Sequence, residues 1–255
     1  MMNVELSIAI ETSAQLTQAR ALAAQWNIPI RPLGHSAIQL VISADHIEIC
    51  VPELGKPIIV DFEHGKNAHR RRFGGGRGQT LAKAMGIKPN TCPTVIDATA
   101  GFGRDAFVFA SLGCQVTLLE RHPLIAVLLT DALQRAQHNP DIQAIIARMT
   151  LIHADAIAYL HDLDTTAQPD VIYLDPMYPQ RKKSAKVKKE MQLLHSLVGQ
   201  NTDSAALLAI ARNRARQRVV VKRPKSAPPI AEQWPSLSLS SQHTRYDIYL
   251  APPKN

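Results

Sequence analysis

Apolar residues alternate with polar ones over Val4 to Ile10 and recur over Ala37 to Ile42, Ile47 to Val51 and Pro57 to Phe62, with Gly, Pro and Asp separating the runs. A period of two predicts short strands. Between the first two runs, Ser13 can cap a helix extending to about Trp26. The first part of the chain therefore reads as a small α+β lobe, residues 1–68. A stretch with four glycines in nine residues, R-R-R-F-G-G-G-R-G from Arg70 to Gly78, breaks the pattern and precedes a helix near Gln79 to Met85. Residues 69–92 are read as the connection between lobes.

After Pro93 the period switches repeatedly between two and 3.6. Strands are predicted at Thr94 to Ala98, Gln115 to Glu120, Thr150 to His153, Asp170 to Leu174 and Arg218 to Lys222. Helices fall between them at Gly103 to Leu112, Pro123 to Gln137, Ala156 to His161, about Lys188 to Val198, and Ser204 to Ala211. Two closing strands follow, Ser236 to Ser241 and Arg245 to Ala251. Strand and helix in alternation imply right-handed crossovers and a mostly parallel sheet, and a terminal hairpin brings residues 93–255 to seven strands.

Composition narrows the class. The chain has 255 residues, 45% of them apolar and 20% charged, so it buries a core without disulfides or a structural metal. No apolar run approaches the roughly 18 to 20 residues that span a bilayer, and the amino terminus lacks a basic leader segment. A cytoplasmic protein with no membrane partner is expected. Cys50, Cys92 and Cys114 are odd in number and widely spaced, which predicts free thiols and no metal centre.

The net charge of +8 is unevenly placed. Windows 66–78, 181–189 and 212–225 contain 18 of the 29 Lys and Arg and no Asp or Glu, leaving the remainder of the chain acidic. Local positive charge on an acidic background is the footprint of a polyanion, with nucleic acid the natural partner. The candidate contacts are Arg70, Arg71, Arg72, Arg77, Arg181, Lys182, Lys183, Lys186, Lys222 and Arg223.

Candidate chemistry gathers at predicted strand ends. In V-I-D-A-T-A-G-F-G-R-D-A, Asp97 closes a strand, and Gly101 and Gly103 form the turn into a helix, where a Cβ would obstruct a ligand and unpaired amides face it. Glu120 ends the next strand, placed to accept both hydroxyl hydrogens of a ribose. Gly101 to Ala106 also satisfies the dinucleotide pattern G-x-G-x-x-G/A, which would suit an NAD-dependent oxidoreductase. Asp97, interposed between strand and first glycine, favours a different reading: the segment resembles the first motif of class I S-adenosylmethionine-dependent methyltransferases. That resemblance implies that Asp97 orients the methionine moiety of the cofactor. It also implies that Asp155, in H-A-D-A, meets the adenine amine; the same Asp155 can cap the helix that follows.

Asp175-Pro176-Met177-Tyr178 follows the apolar run D-V-I-Y-L and resembles the [DNS]-P-P-[YFW] tetrad of methyltransferases acting on conjugated nitrogens, with Met177 at the second proline position. The Asp175 carboxylate and the Pro176 carbonyl can each accept one amine hydrogen, and Tyr178 can stack on a base. Together with L-L-E-R-H-P and V-V-V-K-R-P, these motifs resemble the bacterial small-subunit ribosomal RNA guanine-N2 methyltransferase J family over almost the whole chain. The resemblance implies a 16S RNA substrate in the small ribosomal subunit and S-adenosylmethionine as cofactor, held by Arg104, Asp105, Glu120, Arg121, Asp155, Ala156 and Asp175, with Asp97, Gly101 and Gly103 from the general fold. Competing readings are a non-catalytic ribosome-assembly protein that binds RNA and an amino methyltransferase acting on DNA or protein glutamine.

Overall fold

The computed structural model describes residues 5–52, 55–64, 76–176 and 203–251. Two sheets organise them. The smaller has the order β1-β2-β3, from Leu6–Ile10, Ile38–Ile42 and Ile47–Cys50, with β1 and β2 parallel and β3 antiparallel to β2. Helix α1, Leu16–Trp26, lies between its first two strands. Its entry differs from expectation. Thr12 is the cap, forming a reciprocal capping box with Gln15, and Ser13–Gln15 is a 3-10 turn leading into the helix.

The larger sheet contains β4 (Val95–Asp97), β5 (Val116–Glu120), β6 (Met149–His153), β7 (Val171–Leu174), β8 (Arg218–Pro224), β9 (Leu237–Ser240) and β10 (Thr244–Leu250). Its order is β6-β5-β4-β7-β8-β10-β9, parallel from β6 to β8, with β10 antiparallel to both neighbours. This is the mostly parallel, seven-stranded, Rossmann-like α/β fold expected of a class I methyltransferase. All four residues of β7, Val-Ile-Tyr-Leu, are buried, as a central parallel strand covered on both faces requires. Helices α2 (Thr80–Met85), α3 (Arg104–Ser111), α4 (Pro123–Gln137), α5 (Gln143–Ile146), α6 (Ala156–Asp162) and α7 (Ser204–Arg214) supply the remaining helical segments. Pro123 starts α4 because the first helical turn needs no amide from it.

The expected strand over Pro57 to Phe62 is not formed. Ile58 makes one bridge to Ile49, and the chain then leaves the small sheet. Ile58, Val60 and Phe62 are buried nonetheless. The Val60 carbonyl accepts from Arg135 of α4 at 2.6 Å, and Phe62 stacks on Phe107 of α3 with ring centroids 5.2 Å apart. Their alternation thus serves to cross between the sheets. One apolar cluster accordingly runs from Ile8 and Leu40 through Phe62 and Leu81 to Phe107 and Leu129.

Sheet order reverses between β4 and β7: β5 and β6 lie to one side, β8 to the other. A crevice at the carboxyl ends of strands flanking such a reversal is where open α/β sheets bind ligands. Asp97, Glu120, Asp175 and Lys222 all come from this edge.

Candidate active site

The loop after β4 turns sharply into α3. Gly101 and Gly103 have φ of 53° and 68°, the left-handed region that glycine enters without strain. A Cβ on Gly101 would find nothing nearer than the Thr99 carbonyl at 4.0 Å, so its backbone borders open space. Gly103 is enclosed: a Cβ there would meet Leu129 at 3.0 Å and Phe62 at 3.1 Å. One glycine frees a surface and the other lets α3 pack.

Asp97 is 2% exposed and accepts a hydrogen bond from the Thr99 amide at 3.1 Å. Burial, with the charges of Asp105 and Asp175 adding to it, pushes its carboxyl up to about 8. Glu120 closes β5, accepting from the Gly101 amide at 2.9 Å and the His122 amide at 2.8 Å; burial raises it too. Asp155 caps α6, its Oδ1 accepting from the Ile157 and Ala158 amides at 3.0 Å, and Ala156 beside it is buried. Arg104 sits over the Phe102 ring at 5.7 Å, and Arg121 pairs with Asp203 at 2.6 Å.

At the end of β7 the Asp175 amide donates to Thr99 Oγ1 at 2.6 Å, which ties the Asp175-Pro176 turn to the glycine loop. Lys222, at the neighbouring end of β8, places its Nζ 2.8 Å from Asp105 Oδ2 and 2.8 Å from Asp175 Oδ2. Tyr173 donates to the same Asp105 oxygen at 2.6 Å. Burial raises the Asp175 carboxyl and Asp105 adds to the rise, while the Lys222 ammonium opposes it. Lys222 itself is held protonated, because the pull of the two carboxylates exceeds the cost of its burial.

The expected residues Asp97, Gly101, Gly103, Asp105, Glu120 and Asp175 therefore meet at one edge of the sheet. Lys222, expected on RNA, has its ammonium 2.8 Å from two carboxylates inside the crevice. Arg223, also expected on RNA, is buried and donates to the Pro228 carbonyl at 2.7 Å. Arg77 is exposed but donates to the Leu112 carbonyl at 3.2 Å, at the carboxyl end of α3 and so at the opposite edge of the sheet. Tyr178, Arg70, Arg71, Arg72, Arg181, Lys182, Lys183 and Lys186 lie outside the described residues, as does the helix expected near 188–198. Sequence reasoning missed Thr99, Tyr173 and the role of Lys222. The available signal was a lysine closing one apolar strand, V-V-V-K, beside an aspartate closing another, Y-L-D.

Residues 21–251 match the family described as "Putative SAM-dependent methyltransferase". The chain is 50% identical to the "Ribosomal RNA small subunit methyltransferase J" of Nitrosococcus oceani over 95% of its own length and 97% of the relative's. It is 49% identical to the protein of the same name from Photorhabdus laumondii, over 94% and 96% of the two chains. A crystal structure of a SAM-dependent methyltransferase from Neisseria gonorrhoeae superposes with a TM-score of 0.76 at 36% identity, covering 98% of this chain and 97% of that one.

The chain belongs to the SAM-dependent methyltransferase family. Its cofactor is S-adenosylmethionine, and the edge described above fits that molecule. Asp97, Asp105 and Asp175 gather around the Lys222 ammonium among the described residues, and this group of carboxyls offers acceptors suited to the cofactor's ammonium and sulfonium groups. Glu120 is fixed by two backbone amides with oxygen lone pairs to spare for a ribose diol. This SAM-dependent methyltransferase has no helix among the described residues long and apolar enough to cross a membrane. Among them, too, no group of three or more His, Cys, Asp or Glu is arranged to hold a metal ion. Cys50, Cys92 and Cys114 are free thiols.

Proposed function

We propose that this enzyme methylates the exocyclic N2 amine of a guanine in 16S RNA of the small ribosomal subunit. The observation that carries the reading is the position of Asp175-Pro176, laced to the glycine loop through Thr99, with Asp175 Oδ1 accepting no hydrogen bond among the described residues. The printed names of the relatives, "Ribosomal RNA small subunit methyltransferase J", supply the substrate class.

A guanine N2 lone pair is delocalised into the ring, which makes it a poor nucleophile. When bound, S-adenosylmethionine supplies an electrophilic methyl group on a sulfonium, whose C–S bond breaks as the N–C bond forms. Asp175 Oδ1 accepts one amine hydrogen and the Pro176 carbonyl the other, drawing the nitrogen toward a pyramidal shape with its lone pair aimed at the methyl. The methylated nitrogen is transiently cationic, and Asp175 takes its surplus proton before solvent does. Tyr178 stacks on the base. Asp97 and Asp105 hold the amino-acid end of the cofactor, Glu120 the ribose, and Asp155 with Ala156 the adenine; Arg104 and Arg121 border the pocket.

Residues 1–68 form an accessory lobe, 69–92 the connection and 93–255 the catalytic domain, and the cationic stretches 66–72 and 181–189 carry the RNA backbone. The enzyme works in the cytoplasm, where small subunits mature. The test is labelled S-adenosylmethionine with 30S subunits or precursor RNA. The expected result is incorporation into guanine N2, lost by at least about a hundredfold in Asp175→Ala, since one preorganised acceptor contributes on the order of 3 kcal/mol. RNA binding without incorporation by the wild-type protein would overturn the reading.

A further inference from the structure

Lys222 lies in a basic stretch of sequence, yet it does not point to solvent. Strands β7 and β8 are parallel with Leu174 opposite Val221, so their next residues, Asp175 and Lys222, are neighbours where both strands end. Tyr173 and Lys222 fix Asp105 through one oxygen, Oδ2, and Lys222 then reaches Asp175 through that residue's Oδ2. The result is a chain of contacts running from the start of α3 across β7 to β8. Its last member is the side chain assigned to receive an amine hydrogen.

We propose that Lys222 is a positioning residue for methyl transfer: its ammonium clamps Asp175 Oδ2 so that Oδ1 faces the acceptor amine, and its charge keeps that carboxylate an acceptor beside two other carboxyl groups. The inference rests on the reading of Asp175 given above. An aspartate side chain turns freely about two bonds, and the ammonium at 2.8 Å removes that freedom. The Asp175 side chain is 41% exposed and that of Lys222 29%, so Asp175 stays accessible while its Oδ2 is held by the ammonium.

The charge argument runs in the same direction. Among the described residues, the groups facing Asp175 are Asp97 from β4, Asp105 from α3, Tyr173 from its own strand and Lys222 from β8. Lys222 is the cation of the set. Without it, burial and Asp105 raise Asp175 unopposed, and a protonated carboxyl is a poorer acceptor for the amine hydrogen and cannot take up the proton that methylation displaces. Neither function requires Lys222 to touch RNA.

The experiment is Lys222→Met, which keeps length and removes charge, assayed for methyl transfer to 30S subunits from pH 5.5 to 9. The expected result is a fall in kcat of about tenfold or more at pH 7, with the acidic limb of the profile displaced upward by about one pH unit or more. KM for the subunit stays within about threefold, because no phosphate contact is lost. An unmoved acidic limb with a raised KM would overturn the proposal and make Lys222 an RNA contact; an unchanged kcat would also overturn it. If Lys222→Met does not fold, Lys222→Arg decides: charge is kept but geometry altered, so kcat falls while the limb stays, and an unaltered kcat refutes the clamp. Should the wild-type enzyme fail to methylate 30S subunits, the proposed function fails instead. Carboxyl 13C titration of Asp175 with and without the Lys222 charge then decides the clamp independently, an unshifted titration overturning it.

Discussion

Replacing Asp97 by Asn isolates the electrostatic state of the crevice. Asp97 is 2% exposed and pushed up to about 8 from the ordinary carboxylate range. Its folded value lies above its unfolded one, so its favourable contribution to the fold is complete below about pH 4, declines as pH rises, and is gone once pH has passed about 8. Four units at about 1.4 kcal/mol each set a ceiling of roughly 5 to 6 kcal/mol, and water entry and relaxation reduce the expectation to about 2 to 3 kcal/mol. Asparagine retains an Oδ1 for the Thr99 amide while carrying no charge. The cofactor-free variant should therefore match the wild type near pH 4 to 5 and exceed it by about 2 to 3 kcal/mol at pH 9, read from urea midpoints with constant slope. In exchange it should bind S-adenosylmethionine about tenfold or more weakly, because the carboxyl proposed to hold the amino-acid end of the cofactor is gone. A stability difference that stays flat between pH 5 and 9 would refute the reasoning, since a buried carboxyl that ionises without cost cannot be short of a cationic partner.

Gly103→Ala places a Cβ 3.0 Å from Leu129 and 3.1 Å from Phe62 at a φ of 68°, and left-handed strain plus overpacking should cost about 2 to 4 kcal/mol in chemical denaturation. A loss below about 1 kcal/mol would mean the loop can shift without disturbing α3. Raising salt from about 50 to 200 mM should weaken RNA association by tenfold or more while leaving cofactor affinity nearly constant, measured by filter binding and calorimetry. A flat response would remove the case for cationic RNA contacts.

The sequence alone revealed the larger sheet well because its signals are local. A period that switches between two and 3.6, Pro123 at a helix start, and glycines after Asp97 each report on a few neighbouring residues, and α4 spans the expected Pro123–Gln137. Where a segment's partner lies far along the chain, the pattern was readable and its use was not. The alternation of Ile58, Val60 and Phe62 is strand-like, but Phe62 meets Phe107 and Val60 meets Arg135, contacts that no window of residues contains. Likewise Asp97, Glu120 and Asp175 were found from their places at strand ends, whereas Tyr173 and Thr99 joined the site through contacts spanning 68 and 76 positions.

The third basic window shows why counting charges overstated the RNA surface. Arg214 donates to the His161 carbonyl at 2.6 Å where α6 ends, Arg216 to Thr166 at 2.6 Å, and Arg218 to Ala84 at 3.4 Å where α2 ends. Helix carboxyl ends carry unpaired carbonyls and partial negative charge, which a guanidinium satisfies as readily as a phosphate would use it. Arg77 does the same for Leu112, and Lys222 neutralises carboxylates inside the crevice. A run of basic residues without acidic neighbours is therefore ambiguous between an outward polyanion site and an inward set of caps, and only the partner of each nitrogen separates them. By that criterion Arg214, Arg216, Arg218 and Lys222 serve contacts within the fold. The proposed RNA contacts then narrow to 66–72 and 181–189, and neutralising substitutions there should lower the salt dependence of RNA binding, whereas removing Arg214 or Arg218 should lower stability and leave that dependence unchanged.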